Sequence, residues 1–214
     1  MSIAEELGPE EYARQLRNPT GKTGLAVAEM LNETNGEGNL LAIKQLQLMP
    51  NASVLEIGCS TGSMAKVVIE QAENIIYTGI DSSDTVISAA REQNSGLIAQ
   101  GLASFHHAYA EQMPFVDASF TDVFSIGVIH FWSDPIKSFS EIFRVMRPGA
   151  RMVMGCLGPE NTPPFARAEY GFHLHDAQTW RSYCFAAGFS TVELEILRRE
   201  SENAPQFFHL IAQV

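Results

Sequence analysis

Apolar strand-like runs alternate with helical patterns along this chain, and the alternation predicts an α/β protein with a doubly wound, mostly parallel sheet. Three observations carry that prediction. Residues 52–57 form a short β-branched run that passes through the glycine turn Gly58-Cys59-Ser60-Thr61-Gly62 into a helical pattern at Met64, Val67, Val68 and Ala72. Residues 74–80 repeat the strand signal and end at Asp81, just ahead of a second helical stretch. Residues 122–129 are apolar almost throughout, as befits a central parallel strand covered on both faces.

Taken in order, residues 10–17 read as a short helix with Tyr12 and Leu16 on one side. Gly21-Lys22-Thr23 invites a phosphate-loop reading, but the earlier glycine of that motif is replaced by Leu16 and no strand precedes it. A turn into a helix over 25–32 is the better reading. Residues 32–38 are polar and contain two glycines, which predicts a loop; 39–48 return to helical spacing. These first 50 residues are expected to form a helical cap on a 51–214 core, the whole being one domain. The cap either covers a substrate or simply packs on the sheet.

The turn after the first strand brings backbone N–H groups and a helix N-terminus around one small space. A dinucleotide fingerprint would need glycine at 58, 60 and 63; Ser60 and Ser63 stand at two of those places. An ordinary strand–helix turn would carry the same Gly58 and Gly62. Asp81, at the carboxyl end of the second strand, lies beside that turn in a doubly wound sheet, where two carboxylate oxygens can accept from a ribose diol. Ser83 can cap the following helix, Asp84–Gln93, leaving Asp81 free.

A third strand is expected over 103–109. After the fourth strand come His130-Phe131-Trp132, then Asp134-Pro135, an N-cap and N1 pair that opens a helix. Arg147-Pro148-Gly149 stops that helix, and 151–156 is the fifth strand. Residues 157–172, with three prolines, make a long loop of the kind that forms lids. A helix over 176–187 and strands over 190–197 and 207–214 complete the chain.

Composition narrows the function. There are 14 Lys and Arg against 25 Asp and Glu, a net charge of -11, which argues against a surface that tracks nucleic-acid phosphates. Cys59, Cys156 and Cys184 are odd in number and widely spaced, so neither a disulfide framework nor a zinc site is expected. No apolar run is long enough to span a bilayer, and the N-terminus lacks the basic and apolar regions of a signal peptide. A cytoplasmic location with reduced thiols is the expectation.

Three stretches together resemble a known family. Glu56-x-Gly58-x-x-x-Gly62 resembles the first motif of the class I S-adenosylmethionine (SAM)-dependent methyltransferases. Ala110-Glu111-Gln112-Met113-Pro114-Phe115 followed by Ser119-Phe120 is similar to the "D-A-E-x-L-P-F … S-F-D" segment of the ubiquinone/menaquinone-methyltransferase-like (type 11) subgroup. The run from Arg144 to Met154, R-V-M-R-P-G-A-R-M-V-M, resembles the same subgroup's helix–turn–strand junction. Residue 109 departs from the pattern: Tyr109 replaces the acid that usually meets the adenine amino group.

The resemblance implies a Rossmann-like sheet of seven strands ending in an antiparallel hairpin, with SAM as cofactor. It implies SAM contacts from Glu56, Gly58, Cys59 and Gly62 at the methionine end, Asp81 and Ser82 at the ribose, Ala110 and Glu111 at the adenine, and Gly127 near the transferring methyl. The acceptor would be a small molecule, quinone-like or otherwise apolar given Phe131, Trp132, Met113 and Phe165, although that set equally suits a core. Tyr12, Arg14 and Arg17 could close over the methionine carboxylate or the acceptor. A homodimer is compatible with this reading.

His130, at the open end of the sheet, is the candidate general base. A histidine bonded to a loop carbonyl is the competing reading. His173 and His175 have metal-like spacing but no evident third ligand, so no metal is expected. Two alternatives remain: a nicotinamide-dependent oxidoreductase on a similar sheet, and a SAM-binding protein without catalysis.

Overall fold

A computed structural model describes residues 2–160, 162–197 and 207–214. Three helices come first: α1 (Ile3–Arg17), α2 (Gly21–Thr34) and α3 (Gly36–Leu46). Then β1 (Ser53–Ile57), α4 (Ala65–Ile69), β2 (Ile76–Asp81), α5 (Asp84–Gln93), α6 (Ser95–Ala99) and β3 (Ala103–His107) follow. The remainder is β4 (Phe120–Ile126), α7 (Pro135–Val145), β5 (Met146–Leu157), α8 (Ala177–Ala186), β6 (Thr191–Leu197) and β7 (Phe207–Gln213).

The strands form one seven-stranded sheet in the order β3-β2-β1-β4-β5-β7-β6. The first five are parallel to one another, while β7 runs antiparallel to both β5 and β6. The chain winds from β1 outward through β2 to β3, then returns to β4 on the other side of β1. That reversal is the topological switch point where α/β sheets hold ligands, at the carboxyl ends of β1 and β4.

Period-two alternation divides the inner strands between two cores. On β5, Met152, Met154 and Cys156 face a cluster with Phe139 and Ile142 of α7 and Trp180 of α8. Val153, between them, faces the other cluster with Ala42 and Ile43 of α3, Val68 of α4 and Ile87 of α5. Edge-to-face contacts among Trp132, Phe139 and Trp180 bind α7 and α8 to the first face. A third, smaller cluster, with Ala13, Leu157, Ala166 and Phe172, joins α1 to the segment after β5.

The caps follow the sequence. Asp134 accepts from the Lys137 N–H at 3.0 Å and Pro135 opens α7; Asp176 accepts from Thr179 at 2.8 Å to start α8. Ser83 caps α5 through the Val86 N–H.

Several boundaries differ from expectation. Residues 32–38 are not a loop: α2 and α3 meet at the single residue Asn35, whose N–H reaches the Leu31 carbonyl and whose own carbonyl receives the Asn39 N–H. Gly36 and Gly38 are tolerated because i→i−4 bonding runs through the junction. Helix α1 begins at Ile3, earlier than its apolar pattern suggests, and is kinked where Gly8 takes φ 71 ahead of Pro9. Strand β3 ends at His107, and β4 runs from Phe120 to Ile126 because Gly127, at φ 77, breaks the extended backbone. A 3-10 turn at Ile129–Phe131 replaces the expected strand end. Strand β5 starts as early as Met146, taking in Arg147-Pro148-Gly149. The expected loop over 157–172 contains a 3-10 turn, Ala168–Tyr170; its residue 161 lies outside the described residues.

Candidate functional site

At the switch point a cavity of about 270 Å³ opens between the carboxyl ends of β1, β2 and β4 and the α1–α3 segment. Its floor is the end of β1. Gly58 takes φ 76, and a Cβ there would stand 2.3 Å from Val128 Cγ2, so only glycine fits. The Gly58 and Cys59 N–H groups both donate to the Ile80 carbonyl, at 2.8 and 3.0 Å, and turn the chain back over β2. Ser60 then adopts φ 52, which aims its N–H at Asp81 Oδ2, 3.1 Å away.

Asp81 is held from two sides. Its Oδ1 accepts from the Ser83 N–H at 3.0 Å. Burial pushes this carboxyl above its ordinary pKa, and the Ser83 and Ser60 N–H groups pull the other way. With one N–H on each oxygen, lone pairs remain on both. Asp81 is therefore not free, as the sequence suggested, but pinned in a fixed plane. Next to it, the Ser60 hydroxyl is buried without a partner among the described residues, although it lies in the cavity wall. Buried hydroxyls of that kind are rare without a reason.

Glu56 also lines the floor and is 5% exposed. Its carboxyl accepts from the Tyr77 hydroxyl at 2.5 Å. Burial pushes Glu56 up to about 8, against the Tyr77 bond, so the acid is largely protonated at neutral pH. Cys59 is buried with its thiol pushed well up, and its sulfur packs against Gly79, so it presents backbone rather than a reactive thiol.

At the far end the cavity is walled by Ser82, Ala108, Tyr109, Ala110 and Glu111. Tyr109 is exposed; the Ser82 carbonyl is met by His107 Nε2 at 2.9 Å. At the near end stand Ile126, Gly127, Val128, Phe131 and Trp132. Thus Glu56, Gly58, Cys59, Asp81, Ser82, Ala110, Glu111 and Gly127 converge on one space.

Two expected residues do not. Gly62 is needed for a different reason: at φ 74, its Cβ would stand 2.5 Å from Phe105 Cε1, and it lies behind the cavity wall. His130 is 6% exposed and is not among the residues lining the cavity. Its ring stacks on Phe172 at 5.1 Å and meets Phe131 edge-on at 4.4 Å, and its Nδ1 has no partner among the described residues. Burial pushes it down to about 3. It is a neutral packing histidine, and its carbonyl, not its ring, makes the loop contact by accepting the His173 N–H at 2.7 Å.

Of the other candidates, His175 packs edge-on against Trp180 and Tyr183, and no cluster among the described residues could hold a metal. Met113 and Phe165 are absent from the wall; Phe165 packs against Tyr12. Arg14 pairs with Glu11, whereas Arg17 reaches the cavity rim.

The wall opposite the strand ends carries residues that sequence reasoning misses. Asn32, Asn35 and Asn39 line it, together with Leu16, Leu31 and Pro19. Their i, i+3, i+7 spacing is helical and is masked by the two glycines that suggest a loop. Asn32 donates to Thr61 Oγ1 at 2.8 Å. Across the α1–α2 connection, the Ser83 hydroxyl donates to the Pro19 carbonyl at 2.5 Å, fastening this wall to the Asp81 turn. No helix among the described residues is long and apolar enough to cross a membrane.

Residues 55–154 match the methyltransferase domain family. An O-methyltransferase of Pyrenophora dematioidea is 31% identical over 195 residues, covering 88% of this chain and 70% of that protein. A ubiquinone/menaquinone biosynthesis C-methyltransferase of Geotalea daltonii is 25% identical over 135 residues, covering 63% of this chain and 56% of its own length. Among solved structures, phosphoethanolamine N-methyltransferase 2 of Haemonchus contortus, in complex with S-adenosyl-L-methionine, superposes with a TM-score of 0.77 at 18% identity, covering all of this chain and 60% of that one. A SAM-dependent methyltransferase of Aquifex aeolicus gives 0.67 at 18%, covering 88% and 97%.

Proposed function

Because the chain belongs to the class I SAM-dependent methyltransferases, we propose that the switch-point cavity is where it binds SAM and presents a small-molecule acceptor to it. The protein is an enzyme that transfers a methyl group from SAM to a small-molecule acceptor.

The observation that carries the site assignment is the pair formed by Asp81 and Ser60. A carboxylate fixed by two backbone N–H groups, with lone pairs to spare, suits a ribose diol. A buried hydroxyl left without a partner beside it suits a polar ligand in the same space. In this reading the bare turn at Gly58 and Cys59 takes the methionine part. Glu56 lies beneath it, and Ala110 and Glu111 border the adenine. With Tyr109 exposed, adenine readout falls to backbone and stacking rather than to an acid.

SAM supplies an already activated methyl on a sulfonium. The protein's share is to align the acceptor and exclude water, which can account for most of the acceleration. Residues 1–50 act in this reading as a cap over the 51–214 core, since Leu16, Pro19 and Asn35 close the side of the cavity that the strands leave open.

Isothermal calorimetry tests the assignment. Wild-type protein should bind SAM at one site, and Asp81→Ala should weaken that binding at least ten-fold while leaving the fold intact by circular dichroism. Equal SAM affinity in the two proteins removes Asp81 from the site. Heat on adding NADPH and none on adding SAM would assign the cavity to a nicotinamide cofactor.

A further inference from the structure

The acceptor side of the cavity has donors but no base. Asn39 is only 8% exposed, Asn35 is half-buried, and both line the cavity. Neither carboxamide has a hydrogen-bond partner among the described residues, in contrast to Asn32, which is bound to Thr61. Asn35 Nδ2 lies 3.2 Å from the point a Cβ on Gly127 would occupy, so its donor faces the end of β4. At the rim, the Arg17 guanidinium forms no ion pair or hydrogen bond among the described residues and rests over Gly171.

The titratable and charged groups in the wall are Arg17, Glu56, Cys59, Asp81, Tyr109 and Glu111. Glu56 and Cys59 lie in the floor turn, with Glu56 occupied by Tyr77. Asp81 is held by backbone N–H groups, and Tyr109 and Glu111 are at the far end. His130 is packed outside the cavity. Among the described residues the α1–α3 side of the wall thus holds one free cation and two unpaired amides, and nothing placed to remove a proton.

Resting on the methyltransferase reading, the geometry points to Asn35, Asn39 and Arg17 as the acceptor subsite, and to an acceptor that arrives as an oxygen anion, a carboxylate or an acidic phenol or enol. Two amide donors and a guanidinium match the lone pairs and charge of such a group. The acceptor oxygen attacks the methyl carbon along the S–C axis, the O–C bond forms as the C–S bond breaks, and the electron pair stays on sulfur, giving the neutral thioether. The anion and the sulfonium cancel each other's charge, so no proton moves in the step. A neutral alcohol would need a base to take its proton, and this wall offers none; a neutral amine needs no base, but it would leave a new cation beside the Arg17 guanidinium.

The test uses ring-substituted phenols and benzoates graded in acidity, with benzyl alcohol and aniline as neutral controls. Methyl transfer from labelled SAM is followed alongside calorimetric binding of benzoate to the protein. At fixed pH, kcat/KM should follow the anionic fraction of the phenol, and the rising limb of the pH profile should move with the phenol's own pKa. Asn35→Leu and Arg17→Gln should each weaken benzoate binding and raise acceptor KM at least ten-fold while keeping the SAM Kd within two-fold. Asn39→Ser, a smaller change at the more buried position, guards against a folding defect.

A rising limb fixed at one pKa for every phenol overturns the proposal. So does transfer confined to the neutral controls, or no transfer to any acid while SAM binds. Variants that lose SAM and keep benzoate would assign the two asparagines to the cofactor and likewise overturn it. Wild-type protein that fails to bind SAM refutes the underlying methyltransferase reading instead, and the calorimetry shows which has failed.

Discussion

Glu56→Gln isolates the pH dependence stored in the floor of the cavity. Burial raises the Glu56 carboxyl from 4.5 to about 8 in the folded protein. A folded pKa above the unfolded one means that the native state holds a proton the unfolded chain has released. Its stabilisation is therefore complete below 4.5 and is lost as pH rises towards 8. Each pH unit inside that window costs about 1.4 kcal/mol. Two buried histidines act in the opposite sense: His130 and His209 are lowered to about 3 and about 4, so they erode stability as pH falls below their unfolded value of 6.5. Between pH 6.5 and 8 Glu56 acts without that opposition, and the wild type should lose about 2 kcal/mol there.

A glutamine at this position keeps an acceptor for the Tyr77 hydroxyl and cannot ionise. Urea unfolding of both proteins at half-unit pH intervals should give similar stabilities near pH 5. The Glu56→Gln variant should then gain an advantage that grows to about 3.5 kcal/mol by pH 8, about 2 kcal/mol of it between pH 6.5 and 8. The raised Asp81 contributes equally to both curves and drops out of the difference. Parallel curves from pH 6.5 to 8 would refute the argument, because they would show that the buried acid titrates normally.

The same acid should make SAM binding proton-linked. A cation seated above Glu56 should lower its pKa, so SAM should release a proton at about pH 7.5, read as a calorimetric enthalpy that varies with the buffer's ionisation heat. Gly58→Ala should destabilise the protein by about 2–4 kcal/mol, combining the left-handed backbone with the overlap on Val128, and adding Val128→Ala should relieve only the second part. His130→Phe should preserve turnover and its pH profile, since the ring stacks on Phe172 outside the cavity. It should also improve stability below about pH 5, where the native histidine resists protonation. A ten-fold loss of kcat in His130→Phe with unchanged SAM affinity would restore the histidine as a base.

What can be read from the sequence is the part that depends on strand periodicity and on short-range turn chemistry. The sheet, the Gly58 turn and the strand-end Asp81 follow from local patterns that tertiary contacts reinforce. Gly62 misleads because a glycine forced by positive φ and by Phe105 looks the same in sequence as one forced by a ligand. His130 misleads because nearness to a strand end says nothing about ring direction; the 3-10 turn after Gly127 points it into an aromatic cluster. The asparagine wall is invisible because Gly36 and Gly38 outweigh the helical spacing of the residues around them. The bond between Ser83 and Pro19 spans 64 positions, and no local rule anticipates it.

That bond joins two walls of the cavity that lie far apart in the sequence. The α1–α2 connection, through its Pro19 carbonyl, is tied to the N-cap of the helix beside Asp81. A chain lacking its first twenty residues should therefore lose, along with the wall at Leu16 and Pro19, a brace on the turn that carries the carboxylate.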